Sequence, residues 1–222
     1  MQGNAKRAME LISGMPNEKE LIGKDRVSAH IAMSCMRRSS GLSLFPFEVL
    51  YMRRDLANMK QSDLIPLISL LEASFAPHQQ KGDATNEEVG VFNLLKGAML
   101  RVCGDTSGAF QCLQNAAVSS TAREFKFEKH VLPYSHLEIA EIRFRAGDFK
   151  EARRLLNSAK ARTDGPYEDL IRPKILIALD QVRVADGGSG ATPSPPGSPS
   201  VTPPPTAGTP PATPPVSPLS RK

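Results

Sequence analysis

The chain has 222 residues, 40% of them hydrophobic, and a formal charge of +5, enough apolar material for one domain with a real core plus a further segment. The pI is near 9.2, but Arg37-Arg38, Arg53-Arg54 and Arg153-Arg154 are interleaved with acids and only 5% of residues are aromatic. That pattern argues against the concentrated basic stripe and stacking platforms of a nucleic-acid surface.

In chain order, helical periodicity recurs and strand alternation does not. Ala5, Ala8, Met9, Leu11 and Ile12 predict a short opening helix that Gly14 and Pro16 end. Leu21, Ile22, Val27, Ile31 and Ala32 continue the pattern over 17–37, where Gly23-Lys24-Asp25 divides it into two helices with Asp25 capping the second. Phe47, Leu50, Tyr51 and Leu56 form one stripe after Pro46, a residue suited to a first helical turn. "SDLIPLISLLEASF" is the next apolar helix, starting at Ser62 or Asp63, and "APHQQKGDATNEE", residues 76–88, reads as a polar loop before another helix.

Beyond that loop the sequence repeats itself. "LRVCGDTSGAFQCL" (100–113) aligns without gaps on "RFRAGDFKEARRLL" (143–156): Gly104 with Gly147, Asp105 with Asp148, Ala109 with Ala152 and Leu113 with Leu156. Gly97 matches Ala140 upstream, and Ala116 matches Ala159 downstream. These positions follow the tetratricopeptide repeat, in which small residues sit where two antiparallel helices approach most closely. A glycine ends the first helix in the left-handed region, and Asp105 or Thr106 caps the second. Helix pairs over 88–118 and 131–162 follow, with a closing helix from "PYEDLIRPKILIALDQVRV" that Pro173 kinks or restarts. Asn93 and His136 stand where the repeat prefers tryptophan or leucine, and the glycines are 43 residues apart rather than about 34. The extra residues around "SSTAREFKFEKH" must extend a helix or lengthen a connection.

The fold class expected is therefore all-α: antiparallel helix pairs stacked as tetratricopeptide-like repeats in an α-solenoid. Residues 1–76 are the N-terminal helices of the array, 77–89 the loop, 90–185 two helix pairs with a closing helix, and 186–222 a Pro/Ser/Thr-rich tail. From Gly187 onward that tail has no aromatic residue and no charge until Arg221 and Lys222; it is expected to be disordered, with polyproline-II character.

"GKDRVSAHIAMSCMRR", "LFPFEVLYM", "VFNLLKGAMLRVCGD", "VLPYSHLEIAEIRFRAGDFKEARRLLNSAK" and the closing helix occur here in one order. It resembles that of the family uniting the Iml2 proteins of fungi with tetratricopeptide repeat protein 39 of animals. The resemblance runs over about 15–185 and corresponds to the C-terminal part of such proteins, whose N-terminal helical half has no counterpart here. It implies a helical repeat scaffold with a binding role and no established catalytic centre. For the fungal branch it implies association with clearance of cytosolic inclusions and with lipid droplets or the mitochondrial surface. The expectation is a truncated chain, a short isoform or a duplicated fragment. If the region Leu42–Leu71 normally packs on that missing half, its apolar face would favour aggregation or dimerisation.

Catalytic readings fare poorly. Ser107 lies between Gly104 and Gly108 but lacks a partnering base and the strand context of a nucleophile turn, and reads as a first-turn helix residue. His30, His78, His130 and His136 are scattered without metal-ligand spacing. No Gly-rich phosphate loop joins a strand to a helix, so no enzyme activity, cofactor or metal is expected. Cys35, Cys103 and Cys112 form no CxxC pair, no signal peptide is recognisable, and no apolar run reaches about 18 residues. These features predict a cytoplasmic protein whose thiols pack as small apolar groups.

Binding remains. First helices of successive pairs would present Leu94, Ala98, Arg101, Tyr134, Glu138, Glu141 and Arg145 as a mixed groove for a peptide or helix, with Glu141 and Arg145 at ion-pair spacing. The groove lacks the Lys/Asn pattern of carboxylate-clamp repeats. In the tail, Thr192, Ser194, Ser198, Thr202, Thr209, Thr213 and Ser217 each precede proline. They are candidate sites for proline-directed kinases, in segments suited to SH3 or WW grooves. The function expected is an adaptor; the alternative is a peripheral factor on the mitochondrial outer membrane or lipid droplets.

Overall fold

The computed structural model describes residues 24–38, 43–122, 125–163 and 167–188. Among them are eight α-helices, one 3-10 turn and no strand. The helices are α1 (Lys24–Arg37), α2 (Phe45–Met52), α3 (Gln61–Lys81), α4 (Asn86–Cys103), α5 (Thr106–Ala122), α6 (Val131–Arg145), α7 (Phe149–Lys160) and α8 (Glu168–Gly188), with the 3-10 turn at Asp55–Asn58. The opening helix expected around Ala5–Ile12 and the part of the tail after Gly188, with its seven proline-directed sites, lie outside the described residues; residues 186–188, expected in the tail, end α8. No described helix is long and apolar enough to cross a membrane.

Several boundaries differ from the sequence reading, each for a local reason. Asp25 is the second residue of α1 and not its cap. The stripe from Phe47 to Leu56 is divided, because Arg54 adopts a left-handed φ of 66° and starts the 3-10 turn that buries Leu56. Helix α3 runs through Pro66 and Pro77 to Lys81, so only Gly82–Thr85 separates it from α4. Proline removes one helical hydrogen bond, and here a residue at each end of a long helix tolerates that loss. Pro173 likewise lies inside α8, which continues past it.

Helix α4 begins with a reciprocal cap: the Thr85 hydroxyl accepts from the Glu88 N–H (3.2 Å) and the Glu88 carboxylate from the Thr85 N–H (2.7 Å). It ends at Gly104, φ 88°, where the N–H groups of Gly104 and Asp105 donate to Arg101 and Leu100 carbonyls at 3.1 and 3.0 Å. Helix α6 ends the same way, with Gly147 at φ 79° and N–H groups of Gly147 and Asp148 donating to Phe144 and Arg143 at 3.0 and 2.9 Å. Asp105 then caps α5 through the Gly108 N–H at 2.9 Å, and Asp148 caps α7 through the Glu151 N–H at 3.2 Å. Of the two candidates for the α5 cap, the aspartate is therefore the one used.

These joints fold each helix back on the previous one. Gly97, seven residues before the first joint, lies so close to α5 that a Cβ there would sit 2.7 Å from Leu113 Cγ and 3.1 Å from the Ala109 carbonyl. The aligned positions Ala109, Ala152, Leu113, Leu156, Ala116, Ala159 and Ala140 are all buried. In α7 the buried set Ala152, Leu155, Leu156 and Ala159 leaves Lys150, Arg153 and Arg154 outside, an apolar stripe of period 3.6. Consecutive helices from α3 to α8 pack on one another, and α4 also meets α6, as α6 meets α8. In helix α6, Val131, Leu132, Tyr134, Ser135, Ile139, Ala140 and Ile142 are buried.

Gly97→Val is expected to destabilise the fold by about 1–3 kcal/mol, since the new side chain must displace Leu113 or backbone. Thermal denaturation should show a melting temperature lower by roughly 3–10 °C.

Candidate functional site

Two groups of functional side chains stand out, one sealed in the core and one open. The sealed group forms where α1 ends. Arg38 donates to both oxygens of Glu48 on α2, Nη1 to Oε2 at 2.7 Å and Nη2 to Oε1 at 2.9 Å. It also donates from Nε and Nη2 to Glu128 Oε1 at 2.9 and 2.7 Å. The Ser34 hydroxyl donates to that same oxygen, and the Cys35 thiol lies 3.7 Å from Glu48 Oε2. Glu128 and His130 come from the 125–130 connector between α5 and α6. The Glu87 carboxylate holds this connector by accepting the N–H groups of Lys126, Phe127 and Glu128 at 2.8, 3.2 and 3.1 Å.

The side chains of Arg38, Glu48, Glu128 and His130 are 4% exposed or less, so burial dominates their chemistry. Burial raises Glu48 above the usual carboxylate range, with Glu128 adding to that against the pull of Arg38. Glu128 is held below that range because His130, Arg38 and the Ser34 hydrogen bond together outweigh its burial. Burial pushes His130 down to about 4, against the attraction of Glu128. Donor atoms of Glu48, Glu128 and His130 lie within 4.8 Å of one another, the spread of a metal-ligand set. The Arg38 guanidinium already occupies three of the carboxylate oxygens, however, and an incoming cation would have to displace it. The four histidines have no metal-ligand spacing in sequence, but folding brings His130 and its sequence neighbour Glu128 to Glu48 of α2, which is far away in the chain. The legible trace was the extra length around "SSTAREFKFEKH", which extends α5 to Ala122 and also forms this connector.

The open group is a cleft of about 380 Å³. It is lined by Tyr51 of α2, by Arg54, Leu56 and Ala57 at the 3-10 turn, and by residues of α4, α6 and α8. Helices α3, α5 and α7 contribute nothing to its wall. Five of the seven groove residues expected from sequence line it: Ala98, Arg101, Tyr134, Glu138 and Glu141. Leu94 does not, being 1% exposed within the core, because it lies a full helical turn from Ala98 toward the body of α4. Arg145 lies outside the cleft and pairs with Glu141 at 2.9 Å on an exposed helix face. Ala98 and Tyr134 are 2% and 1% exposed, so they form a floor rather than an open surface. Arg101 Nε donates to Glu138 Oε2 at 2.5 Å, and the Tyr51 hydroxyl donates to Glu138 Oε1 at 2.9 Å. The reading missed the fourth wall, Lys174, Ile177, Ala178 and Gln181 of α8, because it treated α8 as a closing helix only.

Ser107 is exposed in the first turn of α5. Of the three cysteines, only Cys35 is fully buried, and burial raises its thiol further from the ionised form. The view of all three as buried packing residues is corrected for Cys103 and Cys112, which are partly exposed.

Arg38→Met leaves two buried carboxylates without their cation and is expected to destabilise by about 3–5 kcal/mol; adding Glu48→Gln and Glu128→Gln should restore part of that loss in urea unfolding. His130 supplies a pH test. The unfolded imidazole takes a proton near its ordinary value of 6.5, whereas the folded one stays neutral to about 4. The unfolded state therefore binds the extra proton in this window, and stability falls as pH drops through it. The loss between pH 7 and pH 4 is about 3 kcal/mol, and His130→Gln should flatten it in denaturant titrations. Comparison of the chain with models of known protein families, with curated proteins and with solved structures finds no match.

Proposed function

We propose that this protein is a non-catalytic adaptor that holds a segment of another protein in the cleft between α2, α4, α6 and α8. The observation that carries this reading is the alternation: every second helix contributes to one concave wall, and the helices between them contribute none. Two consecutive hairpins with matching Gly-Asp joints and matching small residues support a tetratricopeptide-like α-solenoid as its architecture. The resemblance to the Iml2 and tetratricopeptide repeat protein 39 family supports a binding role, with inclusion clearance or lipid homeostasis as the cellular setting. The cleft is near the lower end of ligand-pocket size, about 300–1,000 Å³, so it suits a short segment with about one or two anchoring side chains better than a whole helix.

A second reading, a peripheral factor at the mitochondrial outer membrane or lipid-droplet surface, is favoured by one observation. Leu176, Ile177 and Val184 of α8 are 47%, 60% and 63% exposed, an apolar row of the kind that meets another surface. The proline-flanked serines and threonines of the tail supply a further contact for kinases or for SH3 and WW domains.

Ile177→Asp separates the readings from a folding defect, because Ile177 is exposed at the cleft rim. The melting temperature should change by less than about 2 °C. Proximity labelling should lose the partners of the wild-type chain, leaving a soluble pool. Partners retained in full would remove the cleft from consideration, and a salt-resistant membrane pool in the wild type that Ile177→Asp releases would favour the second reading.

A further inference from the structure

The charges in the cleft are unevenly satisfied. Arg101 is paired with Glu138, and Glu141 with Arg145. Among the described residues no carboxylate pairs with Arg54 or with Lys174, although both line the cleft. Lys174 lies with its Nζ 5.2 Å from the centre of the Tyr134 ring. The Tyr134 hydroxyl, on a residue 1% exposed, has no hydrogen-bond partner, and a buried hydroxyl left so is costly until something accepts from it. Arg54 is also the one described residue other than glycine with a positive φ, 66°. A left-handed conformation costs a side-chain-bearing residue free energy, and such strain tends to persist where a function holds it.

Charge balance narrows the ligand. Arg54, Arg101 and Lys174 line the cleft together with Glu138 and Glu141; with Glu138 paired to Arg101 and Glu141 to Arg145, Arg54 and Lys174 are the two cations left unmatched. One carboxylate offers an oxygen to each of the two, whereas a dianion would add a second negative charge to a cleft that already holds Glu138 and Glu141. Leu56, Ala57 and Ile177 line the same cleft and offer an apolar bed beside the cations. We propose that the cleft is a subsite for one acidic side chain of a partner protein, its carboxylate held by Arg54 and Lys174 with the Tyr134 hydroxyl as a third donor. The neighbouring apolar side chain of that partner rests on Leu56, Ala57 and Ile177. This rests on the adaptor reading and adds the chemistry of what is bound. It differs from recognition by the Glu138 and Glu141 side of the groove, which would select a basic segment.

Lys174 provides an internal check. Burial, reinforced by Arg54 and opposed by Glu138, lowers its ammonium to about 8. The titratable groups that share the cleft with it are Arg54, Arg101, Tyr51, Tyr134, Glu138 and Glu141, and a bound carboxylate would add to the pull of Glu138 toward the charged lysine. Affinity should therefore decline as pH rises past that value, and Lys174→Met should abolish the decline.

Short random peptides displayed on phage and selected on the whole chain are the probe. Selected peptides should carry Asp or Glu beside a large apolar residue and lose binding to Ile177→Asp. Changing that Glu to Gln, or the protein to Lys174→Met or Arg54→Gly, should each weaken binding about tenfold, with the losses not additive when combined. Arg54→Gly should at the same time raise the melting temperature, which a merely structural role for its charge would not do. Cleft-binding peptides without an acidic residue, or insensitive to both variants, would sink the carboxylate subsite while leaving the adaptor reading in place. Tighter binding when phosphoserine replaces the Glu would overturn the assignment to a carboxylate. If the wild type and Ile177→Asp select the same peptides, the cleft is not the binding surface and both ideas fall.

Discussion

The Arg38 guanidinium is the contact on which the register of the N-terminal elements depends. It lies at the end of α1 and ties that helix to α2 through Glu48 and to the 125–130 connector through Glu128, positions ten and ninety residues away in sequence. Taking three such groups out of water is expensive, and their attraction offsets the loss only when geometry and remaining hydrogen bonds are good. A bidentate contact on Glu48 and a shared oxygen on Glu128 meet that condition. Apolar residues of similar volume would hold the same elements together without fixing where they meet. The network thus contributes more to selecting one arrangement of α1 and α2 against α6 than to total stability.

The arrangement of α2 controls the cleft in turn. Tyr51, at the end of that helix, packs edge-on to Tyr134 with ring centres 5.5 Å apart and donates to Glu138. Glu138 then orients Arg101. A displacement of α2 would therefore reach the cleft through a chain of named contacts, each with a definite geometry. The sealed cluster and the open site are two ends of one piece of construction. The buried imidazole of His130 belongs to the same assembly, with its centre 4.3 Å from that of the Tyr167 ring just before α8 and the two planes tilted by 33°.

The helices and their joints were legible because they follow from local rules. Gly104, Asp105, Gly147 and Asp148 each act within a few residues of themselves, and the small residues Gly97, Ala109, Ala140 and Ala152 recur at a spacing that a single helix pair dictates. Even here a third joint went unread. Gly82-Asp83 ends α3 with the same pair of backbone bonds, to Gln79 and His78 at 3.1 and 3.3 Å, in a stretch whose polarity suggested only a loop. The buried network was not legible, because its members come from α1, α2 and a connector, and no periodicity links Arg38, Glu48 and Glu128. Five of the residues expected in the groove line the cleft, and Leu94 and Arg145 do not. A helix register gives the direction of a side chain but not the depth at which a neighbouring helix covers it. The α8 wall was missed for the same reason, since its position depends on packing against α6 and α7.

Glu87 gives the connector an unusual status. Its carboxylate collects three successive backbone N–H groups from outside, while Arg38 grips Glu128 from within. Surface connections are ordinarily where a chain absorbs insertions and drifts in sequence. Here the connector departs from that pattern: one residue added within 125–130 would shift Glu128 out of register with both of its holders, Glu87 and Arg38. In such a chain, evolutionary tolerance would follow hydrogen-bond ownership and not secondary structure.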